Sequence, residues 1–137
     1  MANTLYDNAR KMMLEGDLDW ANDTIKVQLV KSGEYSFDAT HVSMDDMAGP
    51  AKVGDAETMN TSVTGNGAAD ADNVTFPQVA SGHQISALVI YKDLGTNNEV
   101  DKLLLVWIDT STGLPITSNG GDIIVTWDSG TNRIFRP

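Results

Sequence analysis

Three short apolar runs between Ala87 and Trp127 constrain this chain more than any other feature. They are Ala87-Leu88-Val89-Ile90-Tyr91, Leu103-Leu104-Leu105-Val106-Trp107-Ile108 and Ile123-Ile124-Val125-Thr126-Trp127. Each is rich in β-branched or aromatic residues and is bounded by Gly, Asn, Asp or Pro. Runs of this length between turn signals read as strands buried on both faces, although periodicity alone also admits short buried helices. They are expected to form the centre of a β core, with Ile85–Lys92 and Lys102–Asp109 paired as an antiparallel hairpin.

The flanking segments carry weaker patterns. Asp23 to Lys31 alternates, with Ile25, Val27 and Leu29 inward and Lys26 and Gln28 outward, which predicts a half-buried strand with one solvated face. Asn73 to Val79 alternates too, and Pro77 puts that strand at an edge or a bulge. Thr110–Pro115 and Asn119–Gly121 have turn chemistry. A short last strand, Arg133-Ile134-Phe135, can fold back on Asp122–Trp127.

At the other end, Thr4 to Glu15 reads as a helix. Thr4 and Asp7 give a weak capping box, Gly16 is a C-terminal stop, and Leu5, Ala9, Met12 and Met13 form one stripe. That stripe either packs on the sheet or, with Tyr6, docks on a partner. Between Ser32 and Asp72 the pattern dissolves. His41–Met47 could make one helical turn and Thr58–Val63 a short strand, so this part is expected to be a long irregular excursion off the sheet. The fold expected is mainly β: an antiparallel β-sandwich, Greek-key or jelly-roll-like, with one N-terminal α-helix. It comprises a single domain over residues 1–137, with a helical arm at 1–16 and the excursion at 32–72.

Length and charge bound the function. A chain of 137 residues suits one domain with one real core. There is no cysteine, hence no disulfide framework or thiolate zinc site. No stretch approaches a membrane span, and Met-Ala-Asn-Thr-Leu-Tyr-Asp lacks the basic-then-apolar design of a secretory signal. Nineteen acids against nine bases give a net charge of −10. Affinity for phosphate backbones comes largely from clustered cations, and the only adjacent basic pair here is Arg10-Lys11. Direct binding to nucleic acid or to anionic membranes is not expected.

Catalytic apparatus is not visible. His41 and His83 stand far apart among polar and turn residues and read as ordinary surface or loop histidines. No Gly-x-Ser-x-Gly, His-Glu-x-x-His or P-loop occurs. Asp70, Asp72 and Asn73 form a weak Ca²⁺ candidate. Counting from Asp70, Thr75 and Ser81 stand where an EF-hand needs Gly and Glu, and a solvated turn is the plainer reading. Trp107 and Trp127 read as core residues and Trp20 as cover for one end of the sandwich. No cofactor is expected, and the chain does not read as an enzyme.

Several phrases are distinctive in combination. They are Asp19-Trp20-x-Asn22-Asp23-Thr24-Ile25-Lys26-Val27-x-Leu29-Val30, Ala69-Asp70-Ala71-Asp72-Asn73-Val74-Thr75-Phe76, Ala87–Asp93, Ile108–Asp128 and Asn132-Arg133-Ile134-Phe135. Together they resemble a family of small structural proteins encoded among the virion genes of tailed bacteriophages. The resemblance implies a mainly β virion component without enzymatic activity, made in the host bacterial cytoplasm. The first choice within it is a capsid decoration (cement) protein on the outer capsid surface, with the major capsid protein as partner. It carries no functional site onto numbered residues.

Physics weighs the location. The inner wall of a filled head faces packed DNA, which repels an acidic protein, whereas the outside suits an acidic β domain. Binding only the assembled lattice would stabilise it by mass action. Leu5, Tyr6, Met12 and Met13, or the excursion, are the candidate contacts. A homo-oligomer, a trimer at local threefold positions, would suit such a lattice. The runner-up is a tail, neck or fibre-associated protein of the same particle. A remoter alternative is a glycan-binding β-sandwich, which the sparse aromatics disfavour.

Overall fold

The computed structural model describes residues 4–109, 114–127, 130 and 133–136. The elements run β1 (Thr4–Leu5), α1 (Asp7–Glu15), β2 (Ile25–Lys31), β3 (Lys52–Thr58), β4 (Thr61–Val63), β5 (Ala69–Ala71), β6 (Val74–Phe76), β7 (Gln84–Asp93), β8 (Lys102–Ile108), β9 (Ile116–Thr117) and β10 (Ile123–Val125). The fold is mainly β, with antiparallel sheets and one α-helix.

The main sheet has the order β1-β8-β7-β2-β3, and β9 pairs with the start of β7. Two hairpin-like pairs, β2–β3 and β7–β8, lie side by side through the β2–β7 ladder. Ala87 to Tyr91 and Leu104 to Ile108 are buried throughout, so both faces of the two longest apolar runs are covered. The second layer is not a matching broad sheet. It consists of two short ribbons, β6–β10 and β4–β5, whose apolar residues join the same core.

Several local expectations need correction. The helix begins at Asp7, not Thr4, and no side chain caps it at Tyr6. Thr4 and Leu5 instead pair with Trp107 and Val106, because an open strand edge offers them backbone partners. Gly16 does end the helix, at φ +76°, with its N–H turned back on the Met12 and Met13 carbonyls.

Strand β2 is more buried than expected, with only Lys26 and Lys31 partly exposed. It lies between β7 and β3, and Gln28 is buried at 5% exposure. The cause lies in β3, where the register shifts between the partners of Val27 and Leu29. Gly54, at φ +66°, lies in this bulge. The Gln28 amide enters there and donates from Nε2 to the carbonyls of Val53 (2.9 Å) and Gly54 (3.1 Å).

The 32–72 region is not all excursion, since β3 belongs to the main sheet and β4 and β5 pair with each other. The expected helical turn is a 3₁₀ turn at Met44–Asp46 with a Ser43/Asp46 capping box. Strand β6 stops before Pro77. Arg133–Phe135 forms no strand against β10; Phe135 makes an isolated bridge to Ala69. Thr110–Gly113 of the turn expected at Thr110–Pro115, and Asp128, Ser129, Thr131 and Asn132, lie outside the described residues.

Candidate functional site

The densest polar-aromatic cluster lies against the β1 edge of the sheet. Tyr6, held at the junction of β1 and α1, is fully buried and hydrogen-bonds through its hydroxyl to the Tyr35 hydroxyl at 3.1 Å. The Tyr35 hydroxyl also hydrogen-bonds to His41 Nδ1 at 2.8 Å. Phe37 meets Tyr6 edge-on at 5.0 Å and stacks on Trp107 at 5.9 Å, while Tyr35 lies 5.4 Å from Trp107. Such contacts add modest stabilisation beyond the area they bury. The cluster clamps the irregular 35–41 segment onto the sheet.

Its electrostatics suit holding and not proton transfer. Burial pushes the Tyr6 phenol far above its ordinary range, and the bond to Tyr35 adds to the rise. Burial also raises Tyr35, against opposing hydrogen bonds from Tyr6 and Asp38. A phenolate base or nucleophile is therefore disfavoured at this position. His41 is thus part of a half-buried hydrogen-bonded chain and not a plain surface histidine. Pattern reading missed this chain, and only the clustering of Tyr35, Phe37 and His41 within a polar stretch hinted at it.

Of the four candidate interface residues, Tyr6 and Met12 are buried in this chain's own core, and Leu5 and Met13 are half-buried against it. Helix α1 packs on β8, which is the packing alternative for its stripe. The helix's exposed apolar residue is Leu14, at 90%.

The Ca²⁺ candidates serve the second layer. Trp20, buried, donates from Nε1 to the Asp70 carbonyl at 3.0 Å, and Trp127 donates to that of Asp72 at 2.9 Å. Asp70 also lies 3.8 Å from Arg133 Nη1, and Asp72 accepts from Asn60 at 2.6 Å. Asn73 is exposed beside them. Among the described residues no three His, Asp or Glu side chains converge as a metal site. Trp20 does cover one end of the core, packing edge-on to Phe135 at 5.2 Å. Trp127 is only partly buried, so it belongs to the margin of the core, because its indole N–H turns outward to Asp72.

Charge is organised just as closely. Seven of the nine bases lie within ion-pair distance of a carboxylate in the same chain. Lys52 and Lys102 both hold Glu99, Lys26 holds Asp93 at 2.9 Å, and Lys92 holds Asp23 at 3.1 Å. The N–H of Gly95 and the Lys26 ammonium hold the Asp93 carboxyl below its usual range. Burial pushes Glu99 up, but Lys102 and Lys52 together outweigh it and hold it low.

An open concavity lies at the other edge of the sheet. A cleft of about 500 Å³ runs beside β3, between Val53–Glu57 and Phe76–Ala80. Its apolar wall includes buried Val53, Phe76 and Val79, and its charged residues are Asp55 and Glu57.

These features define a mainly β protein in which side-chain chemistry fastens irregular segments to a sheet. No protein-family model matches the chain, and no curated protein matches it. No helix among the described residues is long and apolar enough to cross a membrane.

Proposed function

We propose that this chain is a structural component of a tailed-bacteriophage virion. Its role there is capsid decoration: it binds the outer surface of the head lattice through the major capsid protein and braces the shell. The observation that carries this reading is the charge distribution. Seven of the nine cations are engaged with the chain's own carboxylates, while Asp17, Asp19, Glu34, Asp45 and Asp122 stand exposed outside those pairs. Such a surface repels packaged DNA and faces solvent without penalty. The family resemblance supports the same assignment, and the buried Tyr6 phenol of the aromatic cluster favours a scaffold over a reactive centre.

The test is to image particles made with and without the gene and to count copies by densitometry. Decoration predicts extra density at regular positions outside the head, copies on the scale of the major capsid protein, and earlier DNA release on heating without it. A small ring-like copy number at the neck or tail would transfer the assignment there. Tight binding to bare DNA at ordinary ionic strength would overturn it.

A further inference from the structure

The open flank of β3 supports a more specific inference, independent of which particle the protein belongs to. We infer that the cleft between β3 and Phe76–Ala80 is a docking site for an extended, cationic peptide segment of another protein, bound by strand addition.

Three observations carry it. First, β3 is the last strand of the main sheet; β6 packs near it, but among the described residues no strand pairs with its outer side. An unpaired edge is a template for an added strand. Second, the cleft along that edge has a ligand-sized volume of about 500 Å³ and an apolar wall of Val53, Phe76 and Val79. Its far wall is fixed: Gln78, at φ +48°, donates its N–H to Asp122 Oδ1 at 2.9 Å. Third, the charges lining it are both negative. Asp55 is exposed and Glu57 half-buried, and among the described residues neither has an ion-pair partner.

A half-buried carboxylate without a counter-charge gains from an incoming ammonium or guanidinium. A second copy of this chain is a poor occupant, because pairing two β3 edges would set their carboxylates against each other. The bulge at Gly54 limits the added strand to a short segment, in keeping with the cleft's size.

The experiment titrates the full ¹⁵N-labelled chain with a synthetic peptide of alternating valine and lysine, and follows amide shifts. The expected result is saturable binding with shifts confined to residues 53–57 and 76–80, absent for the valine–glutamate peptide. Backbone N-methylation of alternate peptide residues should weaken binding by about tenfold, because main-chain hydrogen bonds are lost. The double variant Asp55→Lys, Glu57→Lys should weaken it by about tenfold or more. Shifts spread over the whole acidic surface, or equal binding of the N-methylated peptide, would overturn strand addition. So would self-association through this edge in sedimentation, or no binding at all.

Discussion

The two edges of the main sheet end in different ways. At the β8 edge the backbone is closed by other backbone. Thr4 and Leu5 pair with Trp107 and Val106, the Tyr6 N–H reaches the Leu105 carbonyl at 3.0 Å, and the Leu104 N–H reaches that of Val42 at 3.0 Å. At the β3 edge nothing of the kind is present among the described residues. A bulge, a buried Gln28 amide and two carboxylates occupy that flank instead. Both devices discourage edge-to-edge association, but the first does so by pairing backbone with backbone and the second by shape, charge and the Gln28 amide's bonds to two β3 carbonyls. The closed edge should therefore contribute stability, and the open one recognition.

The largest expected effect tests the closed edge. Replacing Tyr6 by Ala removes a fully buried ring, its contact with Phe37 and its bond to Tyr35, and should cost about 3–5 kcal/mol in a urea melt. Tyr6→Phe keeps the ring and should cost only about 1 kcal/mol. If both variants lose the same amount, packing is not what seals this edge.

Alkali attacks the same side. All three tyrosines resist ionisation: Tyr6 and Tyr35 beside β1, and Tyr91 in β7, pushed up to about 12 by burial and by Asp93 and Glu99. Above the ordinary phenol value of about 10 the unfolded chain has lost protons that the folded chain keeps, so stability falls as pH rises. Each fully shifted tyrosine removes about 1.4 kcal/mol per pH unit until its folded value is passed. Tyrosinate absorbance should then rise together with loss of the β circular-dichroism signal. A smooth phenol titration near pH 10 with the signal intact would count against the burial described.

At the open edge, Gln28→Met removes the donor to the Val53 and Gly54 carbonyls while keeping the chain's bulk. The expected loss is about 1–3 kcal/mol, because Val53 and Gly54 are left with unmatched acceptors. A neutral outcome would mean that solvent reaches the bulge and satisfies those carbonyls.

The contrast between edges also explains what the sequence made legible. Continuous aliphatic runs such as Leu88–Ile90 and Leu104–Val106 announce central strands because nothing else buries so much apolar surface in so few residues. Strand β3, Lys-Val-Gly-Asp-Ala-Glu-Thr, has Val53 as its one large apolar residue, and its bulge breaks the alternation that would have marked it. Gln28 looked outward because it is polar at an alternate position, yet its burial is set by a bulge 25 residues away. The Tyr6–Tyr35 bond likewise joins residues 29 apart, a link that no local pattern encodes. Thr4 and Leu5 read as helix because their partner, an unclosed edge of β8, exists only in the assembled sheet. For the site, acidity was plain from composition, but which carboxylates lacked a base depended on the folded pairing.

The smallest expected effect is the one that separates the two edges most sharply. Asp55 and Glu57 lie outside every ion pair described, so the double variant Asp55→Lys, Glu57→Lys removes no native attraction. It should shift the urea midpoint by no more than about 0.5 kcal/mol, as exposed substitutions commonly do. The half-buried Glu57 carboxylate makes a small gain the favoured sign, since a long lysine stem can carry its charge out to solvent. Near-constant stability then gives the peptide titration its meaning: loss of binding in this variant reports a lost docking site and not a lost fold. A loss of several kcal/mol would instead show that these carboxylates hold β3 in place, making the open edge a structural element like the closed one.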